Sequence, residues 1–94
     1  MAGFKLIDSY TDSNGNEYDV ILYPYGTTVY YKNGEVHRED GPAIIDGDGG
    51  RTWKQKGLRH RLDGPAVTEQ DGTKEWWIEG VFIRGELPYP WSSW

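Results

Sequence analysis

Two His-Arg-x-Asp motifs contain the residues of this chain whose types and spacing could carry out chemistry. The segment "HREDGPA" (37–43) recurs 23 residues later as "HRLDGPA" (60–66). In each copy the histidine and the aspartate resemble a general base and the carboxylate that orients it. Such catalysis also needs a nucleophile, and no Ser, Cys or Thr stands at a matching place in both copies. We therefore expect no catalytic residues and no enzymatic activity.

Metal binding by the same residues is no better supported. The two histidines stand one repeat apart, and no third ligand recurs beside them. The acidic stretch "DGDGG" (46–50) lacks the spaced acids and the terminal Glu of a calcium loop. We expect neither a metal nor a cofactor.

The motifs belong to a 23-residue repeat, with units at 23–45, 46–68 and 69–91. Each unit holds an x-Gly turn signal ("KNG", "QKG", "IEG"), and the last two open with Asp-Gly turns. A period of this length is typical of stacked repeats. The sequence predicts one all-β domain over residues 1–94, an antiparallel meander of stacked β-hairpin repeats in a twisted, mostly single-layer sheet. Residues 1–22 are predicted to form a further hairpin, the third unit is degenerate, and residues 88–94 form a tail rich in Trp and Pro.

The alignment of the three units favours a structural role for His-Arg-x-Asp. An Asp before Gly-Pro can accept hydrogen bonds that hold a turn, and the imidazole can donate to that carboxylate or to a carbonyl of the adjoining unit. In the third unit Ile83 replaces His and Glu86 replaces Asp, while Arg84 and Pro88 remain. A terminal repeat has no further unit to dock against, so it can lose a docking residue. The motif residues assigned to the scaffold are His37, Asp40, His60 and Asp63.

Alternation along the strands separates two faces of each repeat. Tyr30, Trp53 and Trp76 are aromatic in every unit, and we predict that they form a buried column within the scaffold. The next residue points to the opposite face and changes from aromatic to charged between units, so that face is where we expect a partner. Trp and Tyr also dominate interface hot spots. The predicted partner-binding residues are Tyr31, Lys54, Trp77, Arg59, Trp91 and Trp94.

Charge leaves a second function open. The net charge of −5 argues against general nucleic-acid binding. However, the stretch 51–61 has five Arg or Lys and no acid, so contact with single strands remains an alternative, as does acidic mimicry of nucleic acid. Carbohydrate binding by exposed Trp and Tyr is a third candidate. Without cysteine, an apolar span or a signal peptide, we expect a cytoplasmic protein that does not bind membranes. Open sheet edges make a homodimer possible.

The segment "YYKNGEVHREDGPAIIDGDGGRTWKQKGLRHRLDGPAVTEQDG" (30–72) resembles the MORN-like repeats of phage, bacterial and giant-virus proteins. The resemblance covers roughly residues 23–86. It implies a twisted sheet of hairpins that serves as a binding or spacer module, and it transfers no catalytic residue. In size the chain is similar to small phage proteins that block host factors. We therefore expect a non-enzymatic protein-binding module that blocks a host complex, such as a CRISPR-like bacterial immune effector, in the host cytoplasm.

Overall fold

The computed structural model describes residues 5–88 of the chain. These residues contain eleven short β-strands and one 3-10 turn (Pro24–Gly26). The strands are β1 (Lys5–Thr11), β2 (Glu17–Leu22), β3 (Thr28–Lys32), β4 (Glu35–Val36), β5 (Ile44–Ile45), β6 (Arg51–Thr52), β7 (Lys54–Gln55), β8 (Leu58–Arg59), β9 (Val67–Thr68), β10 (Lys74–Ile78) and β11 (Val81–Glu86). Within residues 5–88 no helix has the length and apolar character that a membrane crossing needs.

The strands form an open antiparallel meander. Neighbours in the main sheet follow chain order, β1-β2-β3-β5-β6-β9-β10-β11, while β4 pairs with β3 and β7 pairs with β8 in a small sheet of its own. All of these pairs are antiparallel. The predicted all-β class and the meander of stacked hairpins are confirmed.

Two kinds of turn join the strands, and apart from the one at 23–27 they lie where the sequence predicts them. Five-residue turns at 12–16, 23–27, 46–50 and 69–73 are each closed by two main-chain hydrogen bonds. The second kind is a two-residue turn with both residues at positive φ, as in the type I′ hairpins whose twist matches that of the strands. These turns are Asn33–Gly34, Lys56–Gly57 and Glu79–Gly80.

The two-residue turns form the tips of three hairpins, β3–β4, β7–β8 and β10–β11, and the second and third tips each contact the hairpin before them. The N–H of Gly57 donates to the carbonyl of Val36 at 2.9 Å, and the N–H of Gly80 donates to the carbonyl of Arg59 at the same distance. One unit therefore holds the tip of the next by main-chain hydrogen bonds, and this contact between units occurs twice along the chain.

The fully buried side chains are few, and they lie in the N-terminal hairpin and the first two units. The alanines of the two "DGPA" segments, Ala43 and Ala66, are completely buried because strands close on both sides of them. Ala43 donates its N–H to the carbonyl of Thr52 at 2.9 Å, and its carbonyl accepts from the N–H of Tyr30 at 2.8 Å. The other buried apolar residues are Tyr18, Val20, Val29 and Val67.

The third unit takes a different path from the first two. In those units the returning strand, β4 or β8, lasts two residues before the chain leaves it as the His-Arg-x-Asp segment. In the third unit β11 runs beside β10 along its whole length, from Ile78↔Val81 to Lys74↔Glu86, with a bulge between Trp76 and Trp77. Every residue of β11 is exposed. We call β10 and β11 the terminal hairpin.

Candidate functional site

The imidazole of each His-Arg-x-Asp motif binds the hairpin tip of the following unit. Nδ1 of His37 accepts the N–H of Lys56 at 2.8 Å, and Nδ1 of His60 accepts the N–H of Glu79 at 2.9 Å. A ring nitrogen that accepts a hydrogen bond carries no proton, so the proton of a neutral ring lies on Nε2. Each histidine thus adds a side-chain hydrogen bond to the main-chain hydrogen bond that joins the same two units.

The histidines do not contact the aspartates of their own motifs, which was one of the two contacts that the sequence suggested for them. Nε2 of His37 instead lies 2.9 Å from the Glu39 carboxylate. Both aspartates are occupied by arginine: Nε of Arg38 donates to Asp40 at 2.8 Å, and Nε of Arg61 donates to Asp63 at 3.0 Å. The arrangement of base and orienting carboxylate is therefore not formed in either copy.

The arginine of each motif covers the aromatic ring that recurs at the same position of every unit. Cζ of Arg38 lies 4.0 Å from the centre of the Tyr30 ring, and Cζ of Arg61 lies 3.9 Å from the Trp53 ring. In the third unit Cζ of Arg84 lies 3.8 Å from the Trp76 ring. These cation–π contacts explain why Arg outlasts His in the third unit. The aromatic residues of the predicted column are half-buried, each beneath a guanidinium group.

The glycine of "DGPA" leaves room for that arginine. A Cβ added to Gly41 would lie 2.9 Å from Cζ of Arg38, and one added to Gly64 would lie 2.8 Å from Cζ of Arg61. The guanidinium also donates to the carbonyl of the following proline, Pro42 or Pro65. The spacing of the motif thus places an aspartate carboxylate, a proline carbonyl and an aromatic ring around one arginine.

Chemistry at these residues has little support in the described geometry. Among residues 5–88 there is no group of three His, Cys, Asp or Glu side chains that could hold a metal ion. His60 lines a small open pocket together with Gln55, Lys56, Leu58 and Glu79. The lining side chains carry no hydroxyl or thiol group, although Lys56 brings an amine and Glu79 a carboxylate.

One face of the stacked tips contains the positions where the sequence predicts a partner. Cross-strand neighbours on this face are Tyr31 with Val36, Lys54 with Arg59, and Trp77 with Phe82. Because the tips stack in order, a basic pair lies between two apolar pairs. We call these six side chains the tip face.

Two basic residues opposite each other are unfavourable in a β-hairpin. Lys54 and Arg59 are such a pair, on strands of only two residues each. Arg59 turns toward the terminal hairpin, where its Cζ lies 4.8 Å from the Trp77 ring and Nη1 lies 3.9 Å from the Glu75 carboxylate. Trp77 contacts the Phe82 ring edge to face, with centres 5.3 Å apart, and donates its Nε1–H to Glu75 at 2.8 Å.

Tyr31, at the other end of the tip face, is held by its own neighbour. Its hydroxyl shares a hydrogen bond of 2.6 Å with the hydroxyl of Tyr23. This hydrogen bond, with burial, raises the pKa of Tyr31 to about 12. The aromatic group that the tip face leaves open is therefore the Trp77–Phe82 pair, of which Phe82 is 52% exposed.

The structure brings four of the six predicted partner-binding residues onto the tip face: Tyr31, Lys54, Arg59 and Trp77. Trp91 and Trp94 lie outside the described residues. Sequence reasoning missed Phe82, which is opposite Trp77 across the hairpin. The available signal was its place in "VFI", three apolar residues in a row beside a two-residue turn.

The basic stretch 51–61 does not form one continuous basic groove. Arg61 points to the Trp53 side, whereas Arg59 lies over Trp77 on the tip face. Lys56 lies at a turn, and its side chain is exposed. Only Lys54 and Arg59 of this stretch lie together on the tip face.

Comparison with protein-family models, with curated proteins and with solved structures finds no match for this chain. The resemblance to MORN-like repeats stays a prediction from the residues quoted above.

Proposed function

We propose that the chain is a non-enzymatic protein-binding module that contacts its partner through the tip face. The observation that carries the proposal is the group formed by Arg59, Trp77 and Phe82. Arg, Trp and aromatic side chains dominate the energetics of protein interfaces, and an exposed group of them is suited to fill a pocket on a partner.

The basic pair supports the same proposal. Lys54 and Arg59 face each other at a cost to the hairpin, and an acidic group on a partner would remove that cost. Glu75 already lies near Arg59, at 3.9 Å, but Lys54 has no described acidic neighbour of this kind. A partner that offers a carboxylate beside an apolar side chain would match the tip face in both respects.

Occlusion is the mode of action that we propose for this binding. The face presents aromatic and cationic groups suited to binding, so its effect on a partner would come from covering part of that partner's surface. Following the resemblance, the first targets to test are bacterial host complexes such as CRISPR-like immune effectors.

The test is an affinity purification of the tagged protein from bacterial lysate at low and at physiological salt, followed by mass spectrometry. We expect the same host protein at both salts with the wild-type chain and with Tyr25→Ala, a control because Tyr25 is 97% exposed and lies outside the tip face. Phe82→Ala and Arg59→Glu should lose that protein while circular dichroism shows an unchanged fold. An empty eluate, or equal retention by all variants, would contradict the proposal.

Single-stranded nucleic acid is a second candidate ligand, favoured by the same Lys54, Arg59 and Trp77. Cationic side chains beside a stacking ring are the usual platform for such strands. Binding of this kind weakens steeply as salt rises, because it depends on counterion release. Oligonucleotide bound only at low salt would therefore favour this candidate over a protein partner.

A further inference from the structure

The outer edge of β11 carries several exposed apolar residues. β11 pairs with β10 on one side, and within residues 5–88 no strand pairs with its other side. Val81, Phe82, Ile83 and, just beyond the strand, Leu87 are each more than half exposed. An exposed edge strand offers unpaired N–H and C=O groups to another strand, and charged residues on the edge restrict which strand can pair with it. On β11 these charged residues are Arg84 and Glu86, which lie beyond the bulge that follows Phe82.

The sequence at the end of this edge is complementary to itself. Residues 83–87 read Ile-Arg-Gly-Glu-Leu, which is an apolar, a basic, a small, an acidic and an apolar residue in turn. If two copies of the strand run antiparallel with Gly85 opposite Gly85, then each Arg84 faces a Glu86 and each Ile83 faces a Leu87. Opposite charges and apolar side chains directly across two strands stabilise their pairing.

No neighbouring register offers the same match. A register centred on Arg84 places two guanidinium groups opposite each other, and one centred on Glu86 does the same with two carboxylates. A register centred between Arg84 and Gly85 places Ile83 opposite Glu86. Strand register is set by such patterns, so the two charged residues favour the register centred on Gly85.

The conformation of the charged residues is compatible with this pairing. Arg84 lies over the Trp76 ring at 3.8 Å and donates from Nη1 to Glu86 at 2.9 Å within the strand. Both side chains remain about half exposed, at 54% and 51%. A guanidinium has five N–H donors and a carboxylate accepts several hydrogen bonds, so each group can also bind its counterpart on a second strand.

We propose that two copies of this chain associate through β11, in antiparallel register centred on Gly85, so that the sheet continues across a two-fold axis. The contact is isologous, because the same residues of both copies form it. A contact of about five residues on each side is smaller than a standard interface, so the dimer dissociates readily on dilution. The proposal is independent of the function proposed above.

Charge reversal tests the register. Arg84→Glu gives a copy with two carboxylates at the contact, and Glu86→Arg gives a copy with two guanidinium groups. Each variant alone places like charges opposite each other and should weaken self-association by about tenfold or more. In an equimolar mixture every carboxylate meets a guanidinium, so association between the two variants should return. Loss of the contact within one chain could not be repaired by mixing.

The measurement is sedimentation equilibrium of the full chain from about 10 µM to about 1 mM, the range of a weak complex, with one variant fluorescently labelled in the mixture. Ile83→Lys should also abolish association, whereas Leu62→Lys, an equally drastic change at a residue that is 79% exposed and outside β11, should not. Circular dichroism checks that each variant is folded. A wild-type chain that stays monomeric throughout, or a mixture that does not associate, would overturn the proposal.

Discussion

The two copies of the His-Arg-x-Asp motif make the same contact with the next unit but lie in different surroundings. His37 is 6% exposed, and its ring stacks near that of Tyr18 with centres 6.4 Å apart. His60 is half-buried, and its described hydrogen bond is the one to Glu79. Where the first copy has Glu39, which binds Nε2 of His37, the second has Leu62, which is exposed.

The difference comes from the N-terminal hairpin, which packs on the first motif and not on the second. The Tyr18 hydroxyl accepts the N–H of Glu39 at 3.1 Å, and the Asn16 amide donates to the Glu39 carboxylate at 3.0 Å. Tyr10 donates its hydroxyl to Asp40. We therefore expect the same motif to contribute differently to the free energy of unfolding in the two units, because different residues pack against it.

The anchor of this packing is Asp12, in the first turn of the chain. Burial raises the pKa of Asp12, but hydrogen bonds from Asn16, Tyr18 and Asn14 outweigh burial and lower the pKa to about 2. The carboxylate that holds Tyr18 in place thus stays ionised in weak acid. Among residues 5–88 no hairpin makes the equivalent hydrogen bonds to the second motif.

Removal of each histidine should give the largest contrast between the copies. We expect His37→Ala to lower the free energy of unfolding by about 3 kcal/mol, because it leaves a cavity in place of the buried ring and removes the acceptor of the Lys56 N–H. His60→Ala should cost about 1 kcal/mol, since water can reach the Glu79 N–H at the surface. Urea unfolding followed by Trp fluorescence measures both.

Equal losses in the free energy of unfolding of the two variants would contradict the expected contrast. They would show that the contact between units, and not the packing of the N-terminal hairpin, determines the contribution of the histidine.

Exchange of the variable residue between the copies tests how much Glu39 contributes to the difference between them. We expect Glu39→Leu to cost about 1 kcal/mol at neutral pH, because His37 and Asn16 lose their acceptor. The reverse change, Leu62→Glu, should add no more than about 0.5 kcal/mol, since the new pair would be exposed.

The pH dependence identifies the cause of the first loss. Hydrogen bonding to His37 lowers the pKa of Glu39 from its usual 4.5. A lowered carboxyl pKa stabilises the fold above the unfolded pKa, and this stabilisation disappears as the pH falls through the folded value. The difference between wild type and Glu39→Leu should therefore shrink below pH 4.5. A gap that stays constant in acid would mean that packing, not charge, accounts for the loss.

The smallest expected effects lie at the hairpin tips. Lys56 and Glu79 have φ of 53° and 48°, a region that Asn tolerates better than Lys or Glu. Lys56→Asn and Glu79→Asn should each raise the free energy of unfolding by about 0.5 kcal/mol. Asn33→Lys, at the tip that already has the preferred residue, should lower it by a similar amount. Thermal unfolding of the three variants measures these changes in stability, and a loss in Lys56→Asn or Glu79→Asn would contradict the prediction.

Much of the fold could be predicted from the sequence because its causes are local. Gly34, Gly57 and Gly80 mark turns that need positive φ, and the 23-residue period places them correctly. The contact made by His37 could not be predicted in the same way. Its acceptor atom meets the N–H of a residue 19 positions further along, and only the stacking of hairpins brings the two together.

The candidate site was predictable to a similar degree. Alternation along the strands correctly separates Tyr30 from Tyr31, and the same rule assigns Trp76 and Trp77 to opposite faces. The two-residue turn at Glu79–Gly80 places Phe82 opposite Trp77, whereas the bulge beyond that pair places Arg84, and not Ile83, opposite Trp76. A bulge depends on how two strands fit together, so the sequence of one strand does not predict it.

The period and the turns follow from the sequence alone, because backbone preferences and side-chain alternation act over a few residues. The burial of His37, the exposure of β11 and the partner of each carboxylate do not follow from it. Burial and hydrogen-bond partners depend on what lies across the sheet. For the first motif that is the N-terminal hairpin, whereas β11 has no described strand on its outer side.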